Sequence, residues 1–563
     1  MEDVKKAVLR WALANAAEHK GQASSKAVLG KILGELPGWK SKIAELSIIV
    51  DQTVDEVNRM SHEEQQLQIK RVGTIEKPKS EEKHGLLDLP NLDKYNKVVT
   101  RFAPNPNGAL HMGHLRAALL SHEYARRYKG KFILRFEDTN PENAMLEMYE
   151  LIKRDLRWLG LSWDEEYMQS DRIELYYGYA ERLLRNGQAY VCICEVESFR
   201  KLRDASAPCS CRNLSADEHL VRWQKMLARG YAEGEAVVRI KTDLKHPNPA
   251  ERDWPALRIV NKPHPRVEEK YPVWPLYNFS AGVDDHEMGI THVIRGKEHE
   301  VNEHRQRIMY EHLGWEYPTA VQYGRLAMPG VELSKTQTMQ SIKSGKISGH
   351  DDVRLATIAA LHRRGFLPAA IKQMILDIGI TPVDASLSWE TLCSYNRKFL
   401  DLVANRYFFV ANPIKLLVCG APKIKEARPR LHPTRPDAGE RILSLAVEGD
   451  SFLFYISKAD VSDLKIGDKF RLKDLMNVEL KNKGPVLEAE FCGLEVSDVP
   501  KIQWVSAGAV ELDVIRPDAT IESGLTEPTV ASLRIDEVVQ MERYGFVRID
   551  SVRPKLVAVY AHR

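Results

Sequence analysis

His111 and His114 stand three positions apart at the end of Arg101-Phe-Ala-Pro-Asn-Pro-Asn-Gly-Ala-Leu-His-Met-Gly-His114. Side chains at that spacing share one face of a helical turn. A helix start also offers unpaired N–H groups and a partial positive charge. Two imidazoles placed there can donate hydrogen bonds to a triphosphate and to charge developing at its α-phosphorus. Gly113 removes a side chain between them, so a ligand can come close to the backbone. The spacing alone also fits two plainer readings, histidines at a helix cap or a metal-binding pair. The surrounding strand–turn–helix pattern tips the balance toward phosphate.

A second constellation is Cys192-Ile-Cys194 followed, after fourteen residues, by Cys209-Ser-Cys211. Four thiolates brought together by a hairpin would make a closed tetrahedral site for a structural Zn²⁺. The single-residue spacers are tighter than usual, and four reduced cysteines near a loop is the plain alternative. The other three cysteines (Cys393, Cys419, Cys492) are scattered. One special cysteine site in a reducing compartment fits better than a disulfide scaffold.

These residues need elements to hold them. Apolar spacing predicts helices over Val8–Ala16, Val28–Leu33 and Ile43–Val57, so 1–72 reads as a helical N-terminal appendage and the charged stretch 73–94 as a linker. From about 95, the run Val98–Phe102, a helix over Leu115–Tyr128 stopped by Gly130, and Phe132–Phe136 form a βαβ unit with a parallel sheet. Helical periodicity returns in Val353–His362 and Ala369–Ile378. Short β-rich segments such as Ser451–Ile456, Val486–Phe491 and Lys555–Tyr560 then read as one or two antiparallel barrels.

His111-Met-Gly-His114 resembles the HIGH motif of class I aminoacyl-tRNA synthetases. The longer run from Arg101 to Phe132-Ile-Leu-Arg-Phe-Glu-Asp-Thr-Asn140 is similar to the glutamyl/glutaminyl subgroup. Glu332-Leu-Ser-Lys-Thr336 resembles that family's KMSKS loop, with Glu332 in place of its first lysine and Lys335 retained. The resemblance implies ATP with Mg²⁺ bound at His111, Gly113, His114, Ser334 and Lys335. His111, His114 and Lys335 would serve the chemistry. It implies an amino-acid pocket from Arg101, Glu137 at the α-ammonium, Tyr277 as lining and Arg295. Arg295 separates two substrates. Glutamyl enzymes carry arginine at this place, whereas glutaminyl enzymes carry a small neutral residue. A guanidinium pairs with a γ-carboxylate through two bonds, and beside an amide it would lack a charge partner.

The implied architecture is multidomain. A Rossmann-like α/β catalytic domain (95–187 and 275–340) is interrupted by an acceptor-end-binding insertion with the zinc site (188–274). A helical stem (341–404) and a β-barrel anticodon-binding region (405–563) follow. Leu431-His-Pro-Thr-Arg-Pro-Asp-Ala-Gly439 resembles the barrels of glutaminyl and archaeal/eukaryotic-type glutamyl enzymes, which places the chain in that branch. The basic run Lys415–Arg441 could contact phosphates, though a solvated loop is the commoner origin of such a run.

Composition agrees with a soluble multidomain protein: 563 residues, 44% hydrophobic, 28% charged and a net charge of +3. That charge is too even to argue for nucleic acid by itself. No apolar run approaches the roughly 18 residues of a membrane span, and the N-terminus lacks a secretory pattern. A cytoplasmic monomer is expected, acting on L-glutamate and tRNA-Glu; the resemblance to this branch leaves open whether tRNA-Gln is charged as well. The competing readings are a glutaminyl enzyme, a small nucleotidyltransferase and a catalytically inactive tRNA-binding paralogue.

Overall fold

The helical spacing through residue 72 produces α1 (Glu2–Glu18), α2 (Ser25–Glu35), α3 (Ile43–Arg59) and α4 (His62–Val72). A helix with one apolar stripe must cover it, and here the stripes meet around Val8, Ala12, Leu13, Ile32, Val50 and Val57. The computed structural model describes residues 2–18, 21–35, 39, 42–72, 86–328 and 335–563. The chain divides into two compact units, Met1–His84 and Gly85–Arg563. The expected linker at 73–94 lies outside the described residues as far as position 85.

In the second unit, β1 (Val99–Phe102), α5 (Met112–Arg127), β2 (Lys131–Phe136), α6 (Leu146–Trp158) and β3 (Glu165–Met168) alternate. The three strands pair in parallel, β1 with β2 and β2 with β3. Thr100–Phe102 and Phe132–Phe136 are buried without interruption, as strands covered on both faces must be.

After α7 (Ile173–Arg185) the chain leaves the parallel pattern for a mixed segment. It consists of β4 (Ala189–Cys192), α8 (Val196–Asp204), α9 (Ala216–Leu227), β5 (Val237–Ile240), β6 (Pro255–Ile259) and β7 (Val273–Pro275). Its strands pair antiparallel in chain order.

The parallel sheet then resumes through α10 (Tyr277–Glu287), β8 (His292–Gly296), α11 (Glu300–Leu313) and β9 (Thr319–Tyr323). β8 and β9 are parallel, with Arg295 opposite Gln322. Thr291 sews β8 to β1: its N–H donates to the Val99 carbonyl at 3.0 Å, and its hydroxyl accepts from the Val99 N–H at 2.8 Å. β8 and β9 are thus a separate parallel pair that these bonds join to β1 of the three-stranded sheet. In parallel α/β folds the crevice at the carboxyl ends of such strands is where ligands bind.

Helices α12 (Lys335–Lys343), α13 (Ile358–Arg363), α14 (Pro368–Ile378) and α15 (Trp389–Val403) follow. The helix expected over Val353–His362 begins only at Ile358, because the Thr357 side chain caps it by accepting from the Ala360 N–H at 3.1 Å.

From Arg406 onward the chain forms two seven-stranded sheets. Most ladders are antiparallel, as expected. The all-antiparallel picture nevertheless needs amending: Leu416–Cys419 runs parallel to Leu487–Glu490, and Asp513–Ile515 runs parallel to Val557–Val559. In one sheet the two edge strands, Arg406–Tyr407 and Phe409–Ala411, are separated in sequence only by Phe408. The two ends of that sheet therefore meet there. Among the described residues no helix is long and apolar enough to cross a membrane.

Candidate active site

The histidine pair sits where the spacing predicts, at the start of α5. His111 is its N-cap with extended backbone. Its Nδ1 accepts from the Gly113 N–H at 3.1 Å, and the His114 Nδ1 accepts from the His111 N–H at 3.2 Å. With both Nδ1 atoms accepting, each ring in its neutral form carries its proton on Nε2. The ring centroids are 3.8 Å apart. Gly113 has a tighter job than ligand access alone, since a Cβ there would lie 2.9 Å from the His111 Cε1. The turn is braced from behind by the Ile358 N–H, which donates to the Leu110 carbonyl at 2.9 Å.

Lys335 is the first residue of α12, which follows β9 in the chain. Ser334 and Glu332 lie outside the described residues, so the loop they belong to enters only as a sequence motif.

Arg101, Glu137, Tyr277 and Arg295 arrive from four different segments and converge. Arg101 comes from β1, Glu137 follows β2, Tyr277 opens α10, and Arg295 lies within β8. Glu137 is fixed through its backbone, whose N–H donates to the Pro104 carbonyl at 3.0 Å in the β1–α5 turn. Burial raises the Tyr277 hydroxyl above its ordinary value, and it also feels Glu137, Arg295 and Arg101. Burial likewise raises the Glu137 carboxyl, against the pull of Arg135 and Arg101.

Two residues unread in the sequence tie this cluster together. Asp285 accepts from Arg101 and, at 2.7 Å, from Arg135 Nη1. Arg135 in turn donates to Glu137 at 3.0 Å. A buried chain of alternating charge thus runs Arg101–Asp285–Arg135–Glu137. The signal for it was an Asp284-Asp285 pair inside the otherwise buried α10, because acids in a buried helix require cationic partners.

Arg295 is 4% exposed. Its Nη1 donates to Gln306 Oε1 at 3.1 Å and its Nη2 to the Tyr317 hydroxyl at 3.0 Å, while its buried Nε has no partner. Guanidinium has five N–H donors; two are spent on neutral oxygens here. Burial works to lower its value, but Tyr317, Tyr277, Asp285 and Glu303 hold it above ordinary. The arrangement can therefore receive an anionic group.

The four cysteines also come together, with sulfur atoms all within 4.8 Å of one another. Cys192–Cys209 and Cys194–Cys211 separations are 3.9 and 3.8 Å, close to the roughly 3.8 Å edge of a tetrahedron with Zn–S bonds of about 2.3 Å. No simple hairpin makes the cluster. α8 lies between the two pairs, and the second pair sits in the turn before α9. Arg212 and Tyr190 both donate to Asp253 at 2.8 Å and hold that turn against β4.

Comparison with known proteins places these features in a lineage. The family model for the catalytic domain of class I tRNA synthetases (E and Q) matches residues 97–402. Two models for the anticodon-binding domain of the same group match 404–493 and 501–550. The glutamate–tRNA ligase of Pyrococcus furiosus is 50% identical over the whole of both chains, and that of Thermococcus kodakarensis 49% over the same span. A solved glutamate tRNA ligase from Elizabethkingia meningosepticum, in complex with its amino acid, is 25% identical. It covers 55% of this chain and 70% of its own, with a TM-score of 0.40.

Proposed function

This chain belongs to the class I tRNA synthetases of the glutamate and glutamine group, and on that premise we propose that it is a glutamate–tRNA ligase. The substrate's α-carboxylate attacks the α-phosphorus of ATP, pyrophosphate leaves, and the terminal ribose hydroxyl of tRNA then takes the glutamyl group from the adenylate. No side chain needs to act as nucleophile. The protein supplies position and charge. The Nε2–H groups of His111 and His114 and the N-terminus of α5 face the phosphates, and Lys335 adds a cation. Mg²⁺ enters with ATP and shields its phosphate charge. Glu137 takes the α-ammonium, Tyr277 lines the pocket, and Arg101 reaches the substrate from β1.

The observation that carries glutamate over glutamine is Arg295, buried and hydrogen-bonded only to neutral groups. A γ-carboxylate can take charge-assisted hydrogen bonds from it, which a neutral amide cannot match. ATP–pyrophosphate exchange with each amino acid, with and without tRNA, tests this. Exchange that depends on glutamate supports the reading, and exchange with glutamine alone overturns it.

The cysteine cluster fits Zn²⁺ in donor type, number and spacing, and we assign it as a structural site of the insertion. Residues 405–563 are assigned to the anticodon end of tRNA, with the strands closing into barrels. The protein is assigned as a monomer that charges tRNA-Gln as well as tRNA-Glu. Equal charging of the two purified tRNAs supports that breadth, and rejection of tRNA-Gln removes it.

A further inference from the structure

Arg295 has one acid close by that pairs with it as an ion but accepts no hydrogen bond from it. Glu303 Oε2 lies 3.9 Å from Arg295 Nη2, beyond hydrogen-bond reach. Both oxygens of Glu303 are occupied elsewhere. Oε1 accepts from Arg307 Nε and Nη2 at 2.9 and 2.7 Å, and Oε2 accepts from Gln322 at 2.9 Å. Glu303 and Arg307 are four apart on α11, and Gln322 is the cross-strand neighbour of Arg295 between β8 and β9. Arg307 also lies over the ring of Tyr317, 4.5 Å from its centroid. Its side chain is 46% exposed, so it holds Glu303 from the solvent side.

The positions of Gln306 and Tyr317 complete the pattern. Gln306 Oε1 accepts from Arg295 and, at 2.8 Å, from the Tyr317 hydroxyl, which itself accepts from Arg295. These three side chains form a closed ring of hydrogen bonds that fixes the guanidinium plane. Neither partner carries a charge. A carboxylate in direct contact would orient the arginine equally well but would also neutralise it. The pocket separates the two jobs: neutral groups orient Arg295, and the nearby acid is kept engaged by a different cation.

We infer that Arg307 and Gln322 are specificity-determining positioning residues, which hold Glu303 out of hydrogen-bond contact with Arg295 so that direct, charge-assisted bonding to the guanidinium is kept for the substrate's side-chain carboxylate. The inference rests on the reading of Arg295 given under the proposed function. Freed from Arg307 and Gln322, Glu303 needs only to turn toward Arg295 to compete with glutamate as an internal carboxylate.

Steady-state aminoacylation of tRNA-Glu tests this, with glutamate and ATP varied separately. Arg307→Met is expected to raise the KM for glutamate by about tenfold or more, the scale of one charge-assisted contact. The KM for ATP should stay near that of the unmodified protein. Gln322→Leu frees the Glu303 oxygen nearest Arg295 and is expected to act in the same direction, so the test does not hang on one variant folding. Adding Glu303→Gln to Arg307→Met removes the competitor and should bring the glutamate KM back toward its starting value. Loss of packing alone would not be rescued by that change. An unchanged glutamate KM in both single variants, or a double variant as impaired as Arg307→Met, overturns the inference and leaves the role of Arg295 standing. No glutamate-dependent charging by the unmodified protein overturns the functional reading itself.

Discussion

Asp285 binds Arg101 through two hydrogen bonds, Nε to Oδ1 at 3.1 Å and Nη2 to Oδ2 at 3.2 Å, with both side chains at least nine-tenths buried. Arg101, proposed to reach the substrate from β1, is thus oriented by an acid 184 positions away, on α10. Asp285 does the same for Arg135, which holds Glu137. One carboxylate therefore positions both a cation and an anion of the proposed amino-acid pocket.

Asp285→Asn should destabilise the protein, since breaking a buried ion pair by removing one partner costs about 3–5 kcal/mol. Urea denaturation should show a clearly lower midpoint at neutral pH. Burial pushes the Asp285 carboxyl up, but Arg101 and Arg135 bring it from 3.8 down to about 2. A carboxyl depressed in the folded state contributes fully above its unfolded value, and that contribution is lost as pH falls through the folded value. The gap between the parent and Asp285→Asn should hold above about pH 4 and shrink between there and about pH 2. A gap independent of pH would contradict the ion-pair account.

Arg295→Cys removes the cation at the end of the pocket. Glutamate-dependent charging should fall by roughly a hundredfold in kcat/KM, on the scale of two charge-assisted hydrogen bonds. ATP affinity should change little. Unchanged glutamate kinetics would remove the substrate assignment.

Gly113→Ala places a methyl 2.9 Å from the His111 Cε1 and 3.1 Å from its Nδ1, so the ring must leave its cap position. Since a displacement of about 1 Å can cost on the order of a hundredfold in rate, the turnover number should drop by about tenfold or more. Thermal stability should shift only slightly, as the change is confined to one helix end. A variant with full turnover would show that the His111 placement is unimportant.

The cysteine cluster predicts about one Zn²⁺ per chain in protein purified without chelators. Cys209→Ser should lower the metal content and loosen the insertion, read as faster proteolysis within 188–274. Metal analysis returning no zinc in the parent protein would leave four reduced thiols and no site.

Much of the site was legible because its signals are local. The histidine spacing, Gly113 and the flanking strand place a helix start by themselves, and the cysteine pairs announce a ligand set. What escaped depends on distant pairing. Nothing near Arg101 marks Asp285 as its partner, and Gln306 and Tyr317 meet Arg295 only once α11 and the segment before β9 pack together. Local patterns also misjudged boundaries. Thr357 stops the expected helix from starting at Val353, and α8 fills what reads as a hairpin between the cysteines. The parallel ladders in the C-terminal sheets are invisible to alternation, which is the same for either strand direction.

One pocket is proposed to select glutamate for attachment to tRNA. Incubating the protein with ATP, Mg²⁺, tRNA-Glu and equal glutamate and glutamine, then identifying the esterified amino acid by mass, tests it most directly. Glutamyl-tRNA with no glutaminyl product above background is the expected result. Glutaminyl-tRNA as the main product, or no esterified amino acid at all, would contradict it.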